Sequence, residues 1–368
     1  MTLSRRKMIG LVGGGVVLAA TASAGGFLAT RRPSRALSPW SAAGNYAEPR
    51  MNALSYAILA PNPHNRQPWV AELQGDDQLI IHRDKTLNLP DTDPFDRQLT
   101  VGMGCFLELL RMAANENGYA LDTDLFPQGD DGPVAAIKFA KGGAKDPLIA
   151  HVFDRHTNRN DYEDRPIDAD AWAALSEYAT IKNGQDDVAG LRTLTWEAME
   201  IEMTTHHVWM ESVDLTRFGK AEIEANPDGI SLRGPFFESL MLVGMLTREG
   251  QADSSSAEFK QGLDTIRSSM LATNAYCVIT TNGNTRIDQI NAWRDWLRLH
   301  LVATERGLST QPLSQALQEY PKMAAQYARA HKILAAPGET VQMLGRVGFG
   351  PKIDLSPRWP LETRIINA

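Results

Sequence analysis

Hydrophobic positions recur at helical spacing in two long segments of the chain. The first runs from about Leu99 to Asn117 and stops at Gly118, and the second runs from about Ile287 to Arg306 and stops at Gly307. The apolar positions are Val101, Cys105, Leu109 and Met112 in the first segment and Ile290, Trp293, Leu297 and Leu301 in the second. Because this spacing puts each set on one helix face, the pattern predicts two amphipathic helices.

The two segments are related by a constant offset. Their terminal glycines lie 189 residues apart (307 − 118). At this offset Leu110 falls on Leu299, Ala114 on Ala303 and Glu116 on Glu305. Since Leu and Ala are common in helices, these matches alone are weak evidence of a repeat. The offset nevertheless indicates a chain of two related halves.

Shorter apolar segments predict strands and further helices. Val70–Leu73 and Leu79–His82 flank a turn at residues 75–77, which is typical of a β-hairpin. Ala275–Thr281 has the pattern of a buried strand. Further helices are predicted over Ala43–Leu59 and from Pro166 through Tyr178. Together these elements predict an α+β fold.

A proline-rich loop separates the predicted helix at Ala43–Leu59 from the hairpin. Pro61 and Pro63 restrict the backbone on both sides of Asn62, so the helix cannot continue through them. The loop also carries the polar side chains of Asn62, His64, Asn65 and Gln67. Such groups can hydrogen-bond the polar edge of a heteroaromatic ring. The alternative is a capped turn that only joins helix to strand.

A second polar cluster follows residue 150. Arg155, Thr157 and Arg159 place two guanidinium groups and a hydroxyl within one turn, a set that suits a phosphate. The alternative is a solvated helix end with local ion pairs to Asp154 and Asp161.

Composition excludes several classes of function. The chain has 368 residues, 43% of them hydrophobic, and a formal net charge of −7, which argues against a nucleic-acid-binding surface. Cys105 and Cys277 lie in apolar runs, which favours buried free thiols over a disulfide. His206 and His207 are adjacent and would point about 100° apart on a helix, so no metal site is predicted. The acidic segment Asp91–Asp96 is predicted to be a solvated turn and helix cap.

The first residues have the pattern of a targeting segment. Ser4-Arg5-Arg6 precedes an uncharged stretch from Leu11 to Thr30, which includes Ala22-Ser23-Ala24 before a glycine. Paired arginines, an apolar region and a small-residue cleavage site are typical of a twin-arginine export signal. We therefore expect interaction with the twin-arginine export machinery and a periplasmic or cell-envelope location, and residues 1–36 are excluded from the predicted fold. The alternative is an uncleaved membrane anchor, since the stretch approaches the roughly 20 residues needed to span a bilayer.

The loop motif resembles a known family. Ala-Pro-Asn-Pro-His-Asn-Arg-Gln-Pro-Trp at residues 60–69 is similar to the Ala-Pro-Ser-x-x-Asn-x-Gln-Pro-Trp signature of FMN-dependent nitroreductases. In that family the loop lies against the flavin ring and comes from the neighbouring subunit of a homodimer. The resemblance implies a nitroreductase-like fold and a bound FMN. The implied ring-side residues are Pro61, Asn62, Pro63, Asn65 and Gln67, with Asn62 in place of the usual Ser.

Two further segments resemble phosphate-binding parts of the same family. Residues 155–159 are similar to its Arg-x-Ser-x-Arg element, which implies phosphate contacts from Arg155, His156, Thr157 and Arg159. The terminal strand and basic segment add Arg346 and Arg358 as candidate phosphate or ribityl contacts.

The resemblance also implies an arrangement of two pseudo-repeated halves, as in the Acg-like branch of the family. Residues 43–147 contain the ring-side loop and residues 148–368 contain the phosphate element, so each half lacks what the other has. We expect the halves to form an intramolecular dimer-like unit with one FMN between them. Residues 188–250 form an insertion-like segment that is a candidate lid over the flavin, with its orientation left open by the sequence.

The implied function is flavin-mediated reduction of a small electrophile, such as a nitroaromatic or a quinone. FMN itself carries out the redox step, so no residue is predicted to be strictly catalytic. The alternative is a protein that stores or sequesters FMN without turnover, because an exported enzyme meets little NAD(P)H. The electron donor stays open.

Overall fold

The computed structural model describes residues 30–366. Residues 1–29 and 367–368, and with them most of the predicted export signal, lie outside the described residues. The helices are α1 (Ser34–Ala42), α2 (Pro49–Ala57), α3 (Arg97–Glu116), α4 (Ala169–Ser176), α5 (Gln185–Thr204), α6 (His206–Asp214), α7 (Gly219–Ala225), α8 (Pro235–Leu242), α9 (Arg248–Ala252), α10 (Ala257–Leu271), α11 (Arg286–Glu305) and α12 (Ala324–Leu334). The strands are β1 (Trp69–Gln74), β2 (Gln78–Arg83), β3 (Tyr119–Leu125), β4 (Ala135–Lys141), β5 (Thr180–Lys182), β6 (Thr216–Phe218), β7 (Ile230–Leu232), β8 (Tyr276–Thr281), β9 (Ser309–Pro312), β10 (Thr340–Gly348) and β11 (Ile365–Ile366).

Two sheets organise the described residues. The first has the strand order β11-β1-β2-β4-β3 and the second has the order β5-β8-β10-β9. Neighbouring strands are antiparallel except for β11, which pairs in parallel with β1. A separate parallel pair joins β6 to β7. The mixed α+β fold and the hairpin at β1 and β2 are confirmed.

Helices α3 and α11 pack directly against each other. Their predicted apolar faces are buried, and their observed ends lie within two residues of the predicted ones. A Cβ added at Gly104 would lie 2.3 Å from the Ile290 carbonyl oxygen, so the lack of a side chain at this position allows the two helices to approach closely. The Cys105 thiol also donates to the Trp293 carbonyl at 3.3 Å. This contact is the centre of the larger hydrophobic core.

The prediction of one helix over Ala43–Leu59 is wrong at its start. Helix α1 ends at Ala42, Gly44 has φ +82°, and a new helix begins at Pro49. Glu48 caps the start of α2, because its carboxylate accepts a hydrogen bond from the Met51 amide at 2.7 Å. Pro49 follows at the first helical position, which suits proline.

The start of the folded chain also differs from the prediction. Residues 34–36 were assigned to the targeting segment but belong to α1. Ala36 is buried, and its backbone amide donates to Glu224 at 3.1 Å. At the other end, β11 joins the first sheet, although residues 148–368 were assigned to the second half.

The turn before α3 is less solvated than predicted. Asp93 is 3% exposed and accepts from the backbone amides of Gln98 and Leu99. It therefore caps the helix start, as predicted, but from a buried position.

The 188–250 insertion begins in α5 and continues through α9. Met199 and Met203 are buried in a second core cluster with Val341 and Leu344 of β10. Helix α5 stops at Thr204, and His207 is exposed on the following helix α6. Within residues 30–366, no helix is both long and apolar enough to cross a membrane.

Candidate anion site beside the proline-rich loop

The loop between α2 and β1 has an unusual backbone. His64, Asn65 and Gln67 adopt φ values of 48°, 52° and 51°, in the left-handed region that non-glycine residues seldom occupy. Each such residue costs about 1–3 kcal/mol unless the surroundings hold it there. Gly102 of α3 makes room for the loop, since a Cβ there would lie 3.0 Å from the Cβ of Asn62. Backbone strain of this kind is typical of functional sites.

The amide side chains of the loop bind protein groups. The Asn62 side-chain oxygen accepts from the Gln67 amide at 2.8 Å. The Gln67 side chain, which is 0% exposed, accepts from the Trp359 amide at 2.9 Å and donates to the Pro227 carbonyl at 2.8 Å. The sequence analysis predicted that these side chains contact a flavin ring. In the structure they bind protein groups and hold the loop in its strained conformation.

Two arginines from distant parts of the chain converge on the start of this loop. Arg155 Nη2 donates to the Leu59 carbonyl at 3.2 Å, and Arg358 Nη2 donates to the same carbonyl at 3.0 Å and to that of Ala60 at 3.1 Å. Arg358 Nη1 also donates to the Asn65 side-chain oxygen at 2.7 Å. The structure thus brings the ring-side loop, Arg155 and Arg358 together.

The charges of these arginines are not balanced by protein. Both residues are 2% exposed, and none of the ion pairs among residues 30–366 includes either of them. Burial lowers the pKa of Arg155 to about 10, while burial and the neighbouring Arg155 lower the pKa of Arg358 to about 9. Both Nε atoms are buried without a hydrogen-bond partner. Two buried, uncompensated guanidinium groups are costly, and an anion between them removes that cost.

His300 of α11 orients Arg155, a role that the sequence did not reveal. Its Nε2 lies 3.1 Å from the His156 carbonyl and therefore carries the proton, which leaves Nδ1 to accept from Arg155 Nη1 at 3.4 Å. Burial and the charge of Arg155 lower the pKa of His300 well below its usual value. The sequence feature that could have identified this role is a histidine one helical turn after Trp296, on the buried apolar face of α11.

The other residues of the 155–159 element surround this pair. The His156 ring lies edge-on to Trp40 at 5.4 Å between centroids, and burial lowers its pKa to about 3. Thr157 forms a β-bridge with Thr310 and is half-buried. Arg159 is exposed as a residue, but desolvation and the charge of Arg346 lower the pKa of its guanidinium. Arg159 is thus the most accessible cation of the predicted site.

Arg346 is buried and binds protein groups, and its predicted role as a phosphate or ribityl contact stays a prediction. It is 0% exposed and donates to the carbonyls of Ser269 at 2.6 Å and Asn160 at 2.7 Å, and to the Gln311 side chain at 2.7 Å. Its guanidinium therefore holds the 158–160 segment against β10.

Part of the insertion covers the loop. Arg66 and Asp228 form a buried ion pair at 2.6 Å, and the Gly229 amide donates to the Asn65 carbonyl at 3.3 Å. His64 Nε2 lies 3.1 Å from the Ser212 hydroxyl. Burial, with the charges of Arg159 and Arg66, lowers the pKa of His64 to about 4, so its ring is neutral near pH 7.

Other candidate features of the sequence lie away from this cluster. A cavity of about 420 Å³ beside His206 and His207 is formed by α6 and the 88–91 segment. Among the described residues, no group of three His, Cys, Asp or Glu side chains could hold a metal ion. Cys105 and Cys277 are free and buried, as predicted.

Comparison with known proteins gives one sequence relative. No protein-family model matches the chain. The probable NAD(P)H nitroreductase PigM of Serratia sp. (strain ATCC 39006) is 27% identical in an alignment of 206 residues that covers 50% of this chain and 55% of that protein. The chain therefore spans about half the length of this curated relative.

Similar solved structures are also nitroreductases. They include the FMN-dependent nitroreductase NfnB of Mycobacterium smegmatis in complex with NADPH, at 13% identity and a TM-score of 0.37 over 59% of this chain and 96% of that one. Another is a nitroreductase with bound FMN from Bacteroides fragilis, at 10% identity and a TM-score of 0.33 over 59% and 95%. TM-scores this low do not establish a common fold. The chain is an α+β protein that is similar in sequence to a probable nitroreductase over half of its length.

Proposed function

We propose that this protein is an FMN-dependent oxidoreductase of the nitroreductase type that reduces a small electrophile, such as a nitroaromatic or a quinone. The observation that carries the proposal is the convergence of Arg155 and Arg358 on the Leu59 carbonyl, beside a strained loop whose sequence resembles the ring-side motif of FMN-dependent nitroreductases. The similarity to a probable NAD(P)H nitroreductase supports it.

The donor set fits the phosphate end of FMN. Arg155 and Arg358 offer buried positive charge and unpartnered Nε groups, and a phosphate dianion would compensate both. Arg159 is the accessible cation through which the phosphate would first bind. His300 keeps Arg155 oriented without adding a charge of its own, since its pKa is lowered.

The ring end would lie against the strained loop. When bound, FMN supplies the chemistry by accepting and passing on two electrons as a hydride. The chain then has to bind, orient and shield it. The bonds of Asn62, Asn65 and Gln67 fix the loop backbone in advance, so little entropy is lost when a planar ring binds there.

The proposal includes two related halves with one FMN between them. The two sheets have the same strand order. If the strands of each sheet are numbered one to four along the chain, both sheets read one, two, four, three, and the first sheet has β11 as an additional edge strand. In each, a 20-residue helix lies between the second and third strands, and α3 and α11 begin 189 residues apart (286 − 97). The loop comes from the first of these units and Arg155 from the connection to the second, which supports a site at their junction.

An absorption spectrum of the purified protein tests the flavin assignment. We expect flavin bands that bleach anaerobically with a reductant and return with a nitroaromatic. Bleaching by NADPH would support a pyridine-nucleotide donor, whereas bleaching by dithionite alone, followed by reoxidation with a nitroaromatic, would support an enzyme with another donor. Absence of flavin after reconstitution with FMN would overturn the proposal.

Substitution of the convergent arginines tests the site. Arg155→Ala with Arg159→Ala, and separately Arg358→Ala, should lose FMN because each removes positive charge from the phosphate position. Arg329→Ala is a matched control, since Arg329 forms only a half-exposed ion pair with Glu197 at 2.7 Å and should leave FMN binding unchanged. Circular dichroism and thermal unfolding check that the variants are folded. Full flavin occupancy in the folded double variant would contradict the phosphate assignment.

A second candidate function is FMN sequestration without turnover. It is favoured by the insertion, which binds the loop through Pro227, Asp228 and Gly229 and so covers part of the proposed ring site. Photoreduced, flavin-loaded protein distinguishes the two functions. Reoxidation that accelerates with nitroaromatic concentration supports the oxidoreductase, and reoxidation independent of every small acceptor supports sequestration.

We also retain export through the twin-arginine machinery as part of the proposal, on the evidence of Arg5 and Arg6 and the apolar stretch after them. Export of a protein already folded around FMN would be consistent with that route. Replacing both arginines with Lys should leave the protein in the cytoplasm. Unchanged export of the variant would refute this part.

A further inference from the structure

An exposed apolar surface lies on α8 and the turn after it. Phe236 is 52% exposed, Leu242 66%, Val243 67% and Met245 50%. They account for four of the ten large hydrophobic residues that are exposed in the described chain, although they span only ten positions. We call these four residues the α8 face. Exposed large apolar side chains this close together along the chain are a feature of interaction sites.

The position where the described chain begins is beside this face. Arg31 forms an ion pair with Glu238 of α8 at 3.0 Å, and Lys220 Nζ donates to the Thr30 carbonyl at 2.9 Å. The 20 residues of the sequence from Leu11 to Thr30 are uncharged, and they connect to the fold at this point. An apolar stretch of that length has the composition of a membrane-associating segment.

Basic side chains flank the α8 face. Arg32 and Arg35 are exposed. The charge of Arg32 contributes to lowering the pKa of Arg233, so Arg32 and Arg233 are close to each other. Arg35 is paired with Glu224 and Arg31 with Glu238, whereas Arg32 and Lys220 have no carboxylate partner among the described residues. Cations next to exposed Phe, Leu, Val and Met side chains are the arrangement of an interfacial membrane-binding surface.

We infer that the α8 face docks on the surface of an anionic lipid bilayer, with Phe236, Leu242, Val243 and Met245 entering the headgroup region and Arg32 and Lys220 contacting lipid phosphates. This surface is separate from the Arg155 and Arg358 site. If the stretch from Leu11 to Thr30 is retained as a membrane anchor, docking would hold the body of the protein on that same membrane. It does not depend on FMN or on the proposed redox activity.

A fluorescent label on the α8 face tests the inference in the full-length chain. The native cysteines are both buried and free, so a cysteine introduced as Leu242→Cys can be labelled selectively with an environment-sensitive dye. Gln128→Cys, at an exposed polar position between β3 and β4, is the matched control. Vesicles of phosphatidylglycerol and phosphatidylethanolamine are the probe.

We expect the label at position 242 to shift to the blue with vesicles and to be quenched by lipids spin-labelled in the acyl chain, while the label at position 128 stays unchanged. Adding Phe236→Ser and Val243→Ser should abolish the shift at position 242, and neutral phosphatidylcholine vesicles should weaken it. Because Thr30 and Arg31 lie beside α8, tethering through the first 30 residues could also bring the label near the bilayer, so a shift that persists after Phe236→Ser and Val243→Ser would overturn the inference. So would equal quenching at both positions, or a shift without vesicles that grows with protein concentration, which would indicate a second copy of the chain.

Discussion

At the scale of single residues, the site is defined by charges that the protein leaves unbalanced. Arg346 is buried, but its guanidinium is surrounded by carbonyl and amide oxygens. Arg155 and Arg358 also donate to carbonyls, yet each keeps a buried Nε without a partner. This difference underlies the proposal that Arg155 and Arg358 bind an anion and Arg346 does not, because an unused donor in a low-dielectric position gains most from a charged ligand.

Stability should fall as the pH is lowered, partly through His64. Its pKa is about 4 in the folded protein and roughly 6.5 in an unfolded chain. Between these values the unfolded state binds more protons, so acidification favours unfolding; above pH 6.5 the ring is neutral in both states and has no effect. We expect His64 to contribute a loss of about 1–3 kcal/mol in the free energy of unfolding between pH 7 and pH 4.

Denaturant titrations at several pH values measure this loss. His64→Asn is the informative variant, because Asn tolerates the positive φ at this position and does not titrate. Its stability should fall less steeply with acid, although His156 and His300 maintain part of the slope through their own lowered pKa values. Identical slopes for wild type and variant would contradict the assignment.

At the scale of elements, contacts between segments decide the geometry of the site. Helix α3 supports the loop at Gly102 and packs on α11 at Gly104, and α11 in turn presents His300 to Arg155. The 158–160 segment is held against β10 by Arg346. Small changes in the packing of α3 against α11 should therefore change the positions of Arg155 and Arg358.

Gly104→Ala should destabilise the protein by separating these helices. The added Cβ would lie 2.3 Å from a backbone oxygen of α11, which cannot move alone. Overpacking of this kind costs about 1–3 kcal/mol, measured by denaturant unfolding. Gly190→Ala in α5, where nothing lies within 4 Å of the new Cβ, is the matched control and should stabilise the protein by up to about 1 kcal/mol. Equal effects of both substitutions would exclude the close contact as the cause.

Asp228→Ala should loosen the insertion from the loop. The substitution leaves buried Arg66 without its partner at 2.6 Å and also removes the Arg217 pair at 2.7 Å, and removing one member of a buried pair costs about 3–5 kcal/mol. Glu197→Ala breaks a half-exposed pair with Arg329 and should cost less than about 1 kcal/mol. Thermal unfolding compares the two variants. If they lose similar stability, the Arg66 and Asp228 contact does not hold the insertion in place.

At the scale of the whole molecule, the site depends on chain segments that return from far away. Arg358 reaches the Leu59 carbonyl from 299 positions later in the sequence, and β11 then pairs with β1 of the first sheet. The two cysteines report on the integrity of this assembly, because Cys105 lies at the contact of α3 with α11 and Cys277 lies in β8 of the second sheet.

Both thiols should resist labelling until the protein unfolds. Each is 0% exposed, and burial raises the pKa of Cys277 to about 12 and that of Cys105 further. We expect negligible reaction with a thiol reagent in the native state and two thiols per chain in denaturant. Gln128→Cys should react at once and serves as the control. Rapid labelling of either native cysteine would show that its part of the core opens locally.

Sequence alone predicted the elements with strong periodicity. Local patterns of apolar residues predicted the buried faces of α3 and α11, the hairpin of β1 and β2, and the strand β8. They did so because the spacing of apolar residues along an element indicates which of its faces is buried. The break between α1 and α2 was missed, since it depends on a glycine and on the cap formed by Glu48 rather than on hydrophobic spacing.

The sequence by itself also determined the residue types at the candidate site, namely the loop at 60–69, Arg155 and Arg358. Only the tertiary structure decided which of them hold the backbone and which keep unbalanced charge. That distinction depends on partners 96 to 299 positions away, such as the Leu59 carbonyl and His300, which no local pattern encodes. Hydrogen-bond satisfaction and desolvation are properties of the packed chain, so Gln67 and Arg346 are bound by protein groups, while Arg155 and Arg358 keep buried Nε donors without a partner.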